Sequence, residues 1–469
     1  MRYVSTRGGA SPVSFDLALL QGYAPDGGLY VPESLPQVDW KSWRALSLPD
    51  IIKAILPHFM DDVDDEISGF ESVAGLVDAA YARFDVAGGT RIAWLKEDLG
   101  VLELFHGPTW AFKDYSLIFI GALLEHLLKK RQEKRTLLVA TSGDTGSSAM
   151  EAVVGRSNIR IVVLLPASRI SVTQRLQMIT VASENVHPIE VDGDSDELDT
   201  VLAPIYSDAD LSHLNLGCIN SINWARILVQ TAHWFWAYFQ ASSNDEYELV
   251  VAAPTGAAGN VTSGLYARAL GLPIRLVTCT GHNDVVHRLF HDGLFHKASL
   301  KPSLATAMDI QMPYNVERII YLLSEGDAKL TADIMRRFYA GEAVPVPEHI
   351  RDQFARVFES HVVSDLDILE TIRAVKKDLN YTVCPHTATA LHYALQCKKG
   401  MLCMATASPD KFGETMTKAD IGWTPSSKLQ DLMLRTEVRH PVWYRHGDKS
   451  VEAWRAELKK LLLQFTPDN

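Results

Sequence analysis

From about residue 91 onward, short apolar runs rich in β-branched residues alternate with amphipathic stretches of helical period. Residues 136–141 read as a buried strand and residues 146–154 as the helix that follows it. Residues 159–165 and 171–180 repeat that pair. Residues 248–253, 260–270 and 274–279 predict a strand–helix–strand unit, and 387–396 with 401–406 predict one more helix and strand. Residues 224–239 predict a long, aromatic-rich, buried helix. Such alternation is the signature of an α/β fold with a largely parallel sheet. Residues 1–90 lack the rhythm and read as an appended helical or mixed segment, and residues 300–364 as a mostly helical insertion.

At 469 residues the chain is too long for one simple core, which predicts two or three domains and material for a deep cleft. The net charge of -12 argues against a nucleic-acid surface, which wants a basic field. It leaves a small anionic substrate open, because a few local donors dominate inside a pocket. Cys218, Cys279, Cys384, Cys397 and Cys403 are odd in number, widely spread and free of any C-x-x-C pair. That disfavours a disulfide framework and a zinc site and fits a reducing compartment. His282 and His287 miss the i, i+4 spacing of paired metal ligands, so no metal is expected. The first residues carry no apolar signal segment and no run is long enough to span a bilayer, which predicts a cytoplasmic protein with no membrane partner.

The chemistry begins at Lys113, set among aromatic and apolar neighbours in Phe105-His106-Gly107-Pro108-Thr109-Trp110-Ala111-Phe112-Lys113-Asp114-Tyr115. A desolvated lysine gives up its proton more easily and becomes a nucleophile able to form a Schiff base. The plain alternative is a snorkelling lysine on an apolar face. Thr141-Ser142-Gly143-Asp144-Thr145-Gly146 lies between a predicted strand and helix, where ligands bind in open α/β sheets; it suits an anion or an ordinary helix cap. Pro254-Thr255-Gly256-Ala257-Ala258-Gly259-Asn260 reads as a phosphate cradle or a plain turn. It lacks the G-K-[ST] of a P-loop and the G-x-G-x-x-G spacing of a dinucleotide site, which disfavours NTP and NAD. Thr406, at the end of the last predicted strand, either faces a ligand or caps a loop. Together, a desolvated lysine, two anion turns and a strand-end hydroxyl describe a site for pyridoxal 5'-phosphate. His106 and His386 sit in suggestive settings, although a satisfied structural histidine is the commoner case.

These residues resemble the threonine synthase family along the whole chain. The resemblance is carried by Tyr3-Val4-Ser5-Thr6-Arg7-Gly8, Asp26-Gly27-Gly28-Leu29-Tyr30, Phe105-His106-Gly107-Pro108-Thr109, Ala111-Phe112-Lys113-Asp114, Ser142-Gly143-Asp144-Thr145-Gly146, Asn220-Ser221-Ile222-Asn223-Trp224-Ala225-Arg226 and Met308-Asp309-Ile310-Gln311. It implies an α/β fold of the tryptophan synthase β-subunit type, pyridoxal phosphate fold type II, with two open α/β domains. The expected division is an N-terminal segment at 1–90, a smaller domain at 91–240 carrying Lys113 and the Ser142 turn, and a larger one at 241–469. The resemblance implies that Lys113 binds the cofactor as a Schiff base. It places Thr255, Gly256, Ala257, Ala258, Gly259 and Asn260 around the cofactor phosphate and Thr406 at the pyridine nitrogen. Ser142, Gly143, Asp144 and Thr145 would hold substrate carboxylate, with Asp144 also near the cofactor ring, and Asn223 and Arg226 would face the pocket or the substrate phosphate. The implied partner is a small phosphorylated amino acid, and the implied state is a monomer or homodimer.

The chain also departs from the pattern. Microbial members usually carry G-N-F-G-[ND] where this chain has Gly256-Ala257-Ala258-Gly259-Asn260, and D-P-H-T-A where it has Cys384-Pro385-His386-Thr387-Ala388. Trp110 stands where a small aliphatic residue is common. With Ser195-Asp196-Glu197-Leu198-Asp199 and Gln311-Met312-Pro313-Tyr314-Asn315, these features look more like the threonine synthase-like phospholyases of animals, which are thought to eliminate phosphate without making threonine. The expected reaction is loss of phosphate from O-phosphohomoserine to give 2-oxobutyrate, with O-phosphothreonine as a further substrate. The alternatives are hydration to threonine, and a non-catalytic binding or secreted factor that keeps the fold.

Overall fold

A computed structural model describes residues 1–60, 72–397 and 400–465. Two sheets organise it. The larger has the strand order Phe358–Val362, Ile274–Thr280, Leu249–Pro254, Met401–Ala405, Leu99–Glu103 and Arg91–Lys96, parallel throughout except for the last pair. The smaller has the order Val442–Trp443, Val186–Val191, Ile159–Pro166 and Arg135–Ala140, all parallel. Parallel strands need crossover connections, and helices supply them. The strand Leu249–Pro254 leads through the helix Gly259–Ala269 to its neighbour on one side, while Met401–Ala405 inserts on the other. The crevice between those two strand ends is the switch point where such sheets bind ligands.

Alternate residues of each strand feed different cores, as a two-residue period requires. In the smaller sheet Leu137, Val139, Ile161 and Val163 face inward to the main core, while Leu138, Val162, Leu164 and Ile189 face out against Val201, Trp454 and Leu458. In the larger sheet Val251, Leu276 and Leu402 join the same main core, and Val101, Ala252, Val277 and Cys403 pack outward against Ile368, Ile372 and Leu391. One apolar core therefore runs beneath both sheets. The helices Asp114–Arg131 and Trp224–Ala241 thread through it and are buried on nearly every side.

The sheets cut across the expected division of the chain. Residues 91–103 add two strands to the larger sheet, and Val442–Trp443 near the C-terminal end adds one to the smaller. The 300–364 stretch is mostly helical but ends in the edge strand Phe358–Val362. The N-terminal segment pairs Tyr3–Ser5 with Tyr30–Pro32 and carries the helices Phe15–Gln21, Leu48–Ile55 and Val73–Tyr81. It reaches the centre of the molecule through Arg7, whose guanidinium donates to Glu317 at 2.9 and 2.8 Å, and through Thr6, whose hydroxyl donates to the same carboxylate at 2.6 Å. Among the described residues no helix is long and apolar enough to cross a membrane.

A candidate active site between the two sheets

Lys113 is carried to the carboxyl ends of both sheets by a turn that side chains fasten from within. Gly107 lets the turn close on Asp114: a Cβ there would stand 2.5 Å from that side chain. The buried Asp114 carboxylate accepts from the Thr109 N–H and hydroxyl, each at 2.7 Å, and from the Ser148 hydroxyl at 2.6 Å. Trp110 takes a left-handed φ of 61° and packs near Leu429 and Leu432. The next residues zip onto the strand end that holds Thr406: the Phe112 N–H donates to the Thr406 carbonyl at 2.9 Å, and the Ser408 N–H to the Trp110 carbonyl at 3.0 Å. His106 is a structural residue, its Nε2 lying 2.8 Å from Glu103.

Three charged side chains meet beside Lys113. Its Nζ donates to Asp144 Oδ2 at 3.0 Å and lies 4.5 Å from the centre of the Phe112 ring. Burial pushes the Lys113 amine below its usual range; Asp144 opposes this, and the Arg226 and Lys411 cations add to it. Asp144 is itself buried, which alone would raise its pKa. The Lys113 and Lys411 cations and a 2.9 Å hydrogen bond from Gln174 outweigh burial and hold it well below the usual carboxylate range. Gly143, at φ 131°, is needed here, because a Cβ would meet the Gln174 side chain at 2.5 Å. Ser142 and Thr145 face the cavity, whereas the Asp144 carboxylate accepts from Lys113 and the Gln174 amide and pairs with Lys411.

The opposite wall is built differently. After the strand Leu249–Pro254 the chain turns through Gly256 and through Ala258, which is left-handed at φ 61°, into the helix Gly259–Ala269. A Cβ on Gly256 would stand 3.0 Å from the Met308 backbone, and one on Gly259 would stand 3.2 Å from Ser221. Thr255, at the strand end, turns its hydroxyl back to the Ala253 carbonyl at 2.8 Å. Asn260 is held from behind, its Oδ1 2.9 Å from His233 Nε2 and its Nδ2 3.1 Å from Met404 Sδ. The Thr406 hydroxyl lines the same cavity and has no hydrogen-bond partner among the described residues. The cavity encloses about 630 Å³ between protein atoms, its mouth included.

Arg226 and Asn223 were read together from one motif, and the structure separates them. Arg226 lines the cavity, 2% exposed, with a single 3.4 Å contact to the Ile219 carbonyl and a partnerless Nε. Burial pushes its pKa down to about 10, and no carboxylate pairs with it among the described residues. Asn223 is not in the cavity wall. Its Nδ2 donates to the Leu19 and Cys218 carbonyls at 2.7 and 3.1 Å, and its Oδ1 caps the helix Trp224–Ala241 by accepting from the Ala225 N–H at 3.1 Å. A carboxamide spent in this way has nothing left for a ligand, which corrects the expectation of a pocket role.

Two neighbours of Lys113 escaped the sequence reading. Lys411, 0% exposed, stands 3.3 Å from Asp144 Oδ1 and lies in the Ser408-Pro409-Asp410-Lys411-Phe412 stretch beyond Thr406. Gln174 fills the capping box of the helix Val172–Ile179 while its amide nitrogen reaches Asp144. His386 faces the cavity too. Its Nε2 accepts from the Ala307 N–H at 3.1 Å, its Nδ1 faces the Cys384 sulfur at 4.0 Å, and burial pushes its pKa down to about 4.

Comparison with known proteins agrees with this architecture. Residues 2–81 match the family described as Threonine synthase N terminus, and residues 88–402 match Pyridoxal-phosphate dependent enzyme. The chain is 42% identical to Threonine synthase-like 2 of Xenopus laevis, across 94% of this chain and 95% of that protein. It is 36% identical to threonine synthase of Pseudomonas aeruginosa, across 93% and 94%. The crystal structure of pyridoxal-phosphate-bound threonine synthase from Brucella melitensis superposes with a TM-score of 0.87 at 31% identity, covering 97% of this chain and 99% of that one. Pyridoxal phosphate is the cofactor. The cavity fits it: Asp144 pairs with Lys113 and Lys411, while Arg226, a third cation and part of the cavity lining, has no anion beside it among the described residues.

Proposed function

Because the chain belongs to the threonine synthase family of pyridoxal-phosphate-dependent enzymes, we propose that it is a phospholyase. Its reaction removes phosphate from O-phosphohomoserine and gives 2-oxobutyrate, ammonia and phosphate, with O-phosphothreonine as a second substrate. One water is consumed, as it is when the same substrate becomes threonine and phosphate. The two outcomes differ only in where that water adds.

When bound, the cofactor supplies an electrophilic aldehyde and an electron sink for charge developing at the substrate Cα. Lys113 is the residue that would hold it, and its Nζ, once free, is the base that would take the Cα proton. Backbone N–H groups of the 256–260 turn, at the start of the helix Gly259–Ala269, would hold the cofactor phosphate. The Thr406 hydroxyl would face the pyridine nitrogen. A hydroxyl there, unlike a carboxylate, does not hold a proton on that nitrogen and so disfavours transamination. Ser142 and Thr145, with the amides at the start of the helix Asp144–Val153, suit the substrate carboxylate. Arg226, a buried cation without a counter-ion, suits the phosphate that leaves.

The observation that carries elimination over hydration is the state of His386. Adding water is helped by a side chain besides Lys113 that accepts the water's proton. His386 lies beside a thiol, its Nε2 lone pair is engaged by the Ala307 N–H, and burial holds it neutral with a pKa of about 4. Similarity to the animal threonine synthase-like 2 proteins supports the same side. The similarity to a bacterial threonine synthase favours the second reading, net hydration to threonine. The test is to give the cofactor-loaded enzyme O-phosphohomoserine and to assay phosphate, 2-oxobutyrate and threonine together. Phosphate and 2-oxobutyrate are expected in equal amounts; threonine as the main product would overturn the proposal.

A further inference from the structure

We propose that Lys411 is a positioning residue that lets Lys113 give up its proton: its Nζ, held among three acceptors, stands as a second cation beside Asp144, so that carboxylate keeps a counter-charge in either state of Lys113. This rests on the reading of Lys113 as the amine that takes the cofactor. Lys411 Nζ has three acceptors around it: the Thr109 carbonyl at 2.8 Å, Gln177 Oε1 at 2.6 Å and Asp144 Oδ1 at 3.3 Å. The Gln177 amide orientation is fixed, since its Nε2 donates to the same Thr109 carbonyl at 3.1 Å. An ammonium offers three N–H donors to three acceptors; a neutral amine would turn its lone pair onto one of them. Among the described residues Lys113 has a single hydrogen-bond acceptor, Asp144 Oδ2, with the Phe112 ring beside it. Of the two lysines, Lys113 is therefore the one free to lose a proton.

The charged and titratable groups facing Lys113 come from four directions: Asp144, Lys411, Arg226 and His386. A lone buried pair of Asp144 and Lys113 would resist deprotonation, because it would leave a buried carboxylate with the Gln174 amide and no counter-charge. With Lys411 present, loss of the Lys113 proton to water leaves a balanced carboxylate–ammonium pair, and the electron pair stays on Nζ as the nucleophile. Nothing else in the cluster changes charge, since His386 is already neutral.

A purely mechanical role is the competing explanation, because Lys411 also ties its own turn to the Thr109 turn and to the helix Val172–Ile179. The cofactor-free full-length chain separates the two. Labelling of Lys113 by trinitrobenzenesulfonate, located by peptide mapping, is followed from about pH 6 to about pH 9, below the range in which Arg226 titrates. Growth of the visible band on adding pyridoxal phosphate is followed in parallel. Lys411→Met is expected to move the Lys113 midpoint up by about one pH unit or more, slowing uptake about tenfold near neutrality, with recovery at the alkaline end. Lys411→Arg keeps the charge and is expected to stay within about twofold of the natural chain. Lys411→Gln removes the charge but keeps polar contacts, and it is expected to shift as Met does if Lys411→Met does not fold. An unshifted midpoint in either folded variant overturns the proposal. So does failure of both to fold while Lys411→Arg folds, which makes the residue a structural tie. The underlying reading fails separately, if Lys113→Ala still develops the bound-cofactor band.

Discussion

On the wall formed by the helix Asp144–Val153 and the turn Pro409–Phe412, each buried charge has a counter-charge: Asp144 lies 3.0 Å from Lys113 and 3.3 Å from Lys411. On the wall formed by the helix Trp224–Ala241 and the 256–260 turn, Arg226 is buried with only a carbonyl at 3.4 Å, and the turn offers backbone and small side chains. The first wall is complete as it stands and is organised to move a proton among fixed partners. The second buries a cation that nothing among the described residues compensates, an arrangement whose cost makes sense when an anion fills it.

The largest effect should come from removing the proton carrier on the complete wall. Lys113→Ala is expected to lower phosphate release from O-phosphohomoserine by at least about 10³-fold, the scale of losing an acid–base group. The fold should survive, because the cavity gives an alanine room and Asp144 keeps Lys411. Circular dichroism and a phosphate assay check both halves, and turnover within about tenfold of the natural enzyme would exclude the role.

The next test sets the walls against each other. Asp144→Asn strands two buried ammoniums and is expected to destabilise the cofactor-free chain by ~3–5 kcal/mol. Arg226→Met removes a buried cation that has no counter-ion, so the same measurement should show stability unchanged or raised by ~1 kcal/mol. The signs reverse for ligand binding. In the cofactor-loaded enzyme, where the 256–260 turn is filled, the thermal shift produced by inorganic phosphate should largely vanish in Arg226→Met, a loss of ~2 kcal/mol or more in binding. Equal destabilisation by both substitutions would erase the distinction between the walls.

The two walls also differ in how far the sequence discloses them. The strand–turn–helix at residues 249–269 is legible because its apolar run is continuous, its turn is glycine-bounded and its contacts are largely local. Lys411 is not legible. It sits after the polar run Ser408-Pro409-Asp410, with no local pattern that marks it as buried, and what surrounds it are Thr109 and Gln177, at sequence separations of 302 and 234. Asn223 misleads for the same reason: the Leu19 carbonyl that spends its amide arrives from 204 residues away. The apolar pattern of the strand Leu99–Glu103 is interrupted by Gly100, a poor strand former where a Cβ would meet Leu402 at 2.8 Å. Val442–Trp443 is two residues long, too short to carry a period. Local pattern thus discloses backbone and turns, while the partners that set a side chain's charge and exposure arrive from other elements.

The smallest expected effect falls on the backbone of the incomplete wall. Ala258 holds φ 61°, a left-handed conformation that costs a residue with a Cβ about 1 kcal/mol, and glycine there would remove that strain. Glycine would also forfeit a methyl that is 3% exposed, worth about 0.8 kcal/mol, and would raise the entropy of the unfolded chain by a similar amount. The terms nearly offset, so Ala258→Gly is expected to change stability by less than about 1 kcal/mol. If the backbone N–H groups of the turn hold the cofactor phosphate, the thermal shift produced by pyridoxal phosphate should persist in this variant at its natural size. Its disappearance would mean that the alanine methyl sets the shape of the cradle. The incomplete wall would then be as dependent on side-chain fit as the complete one.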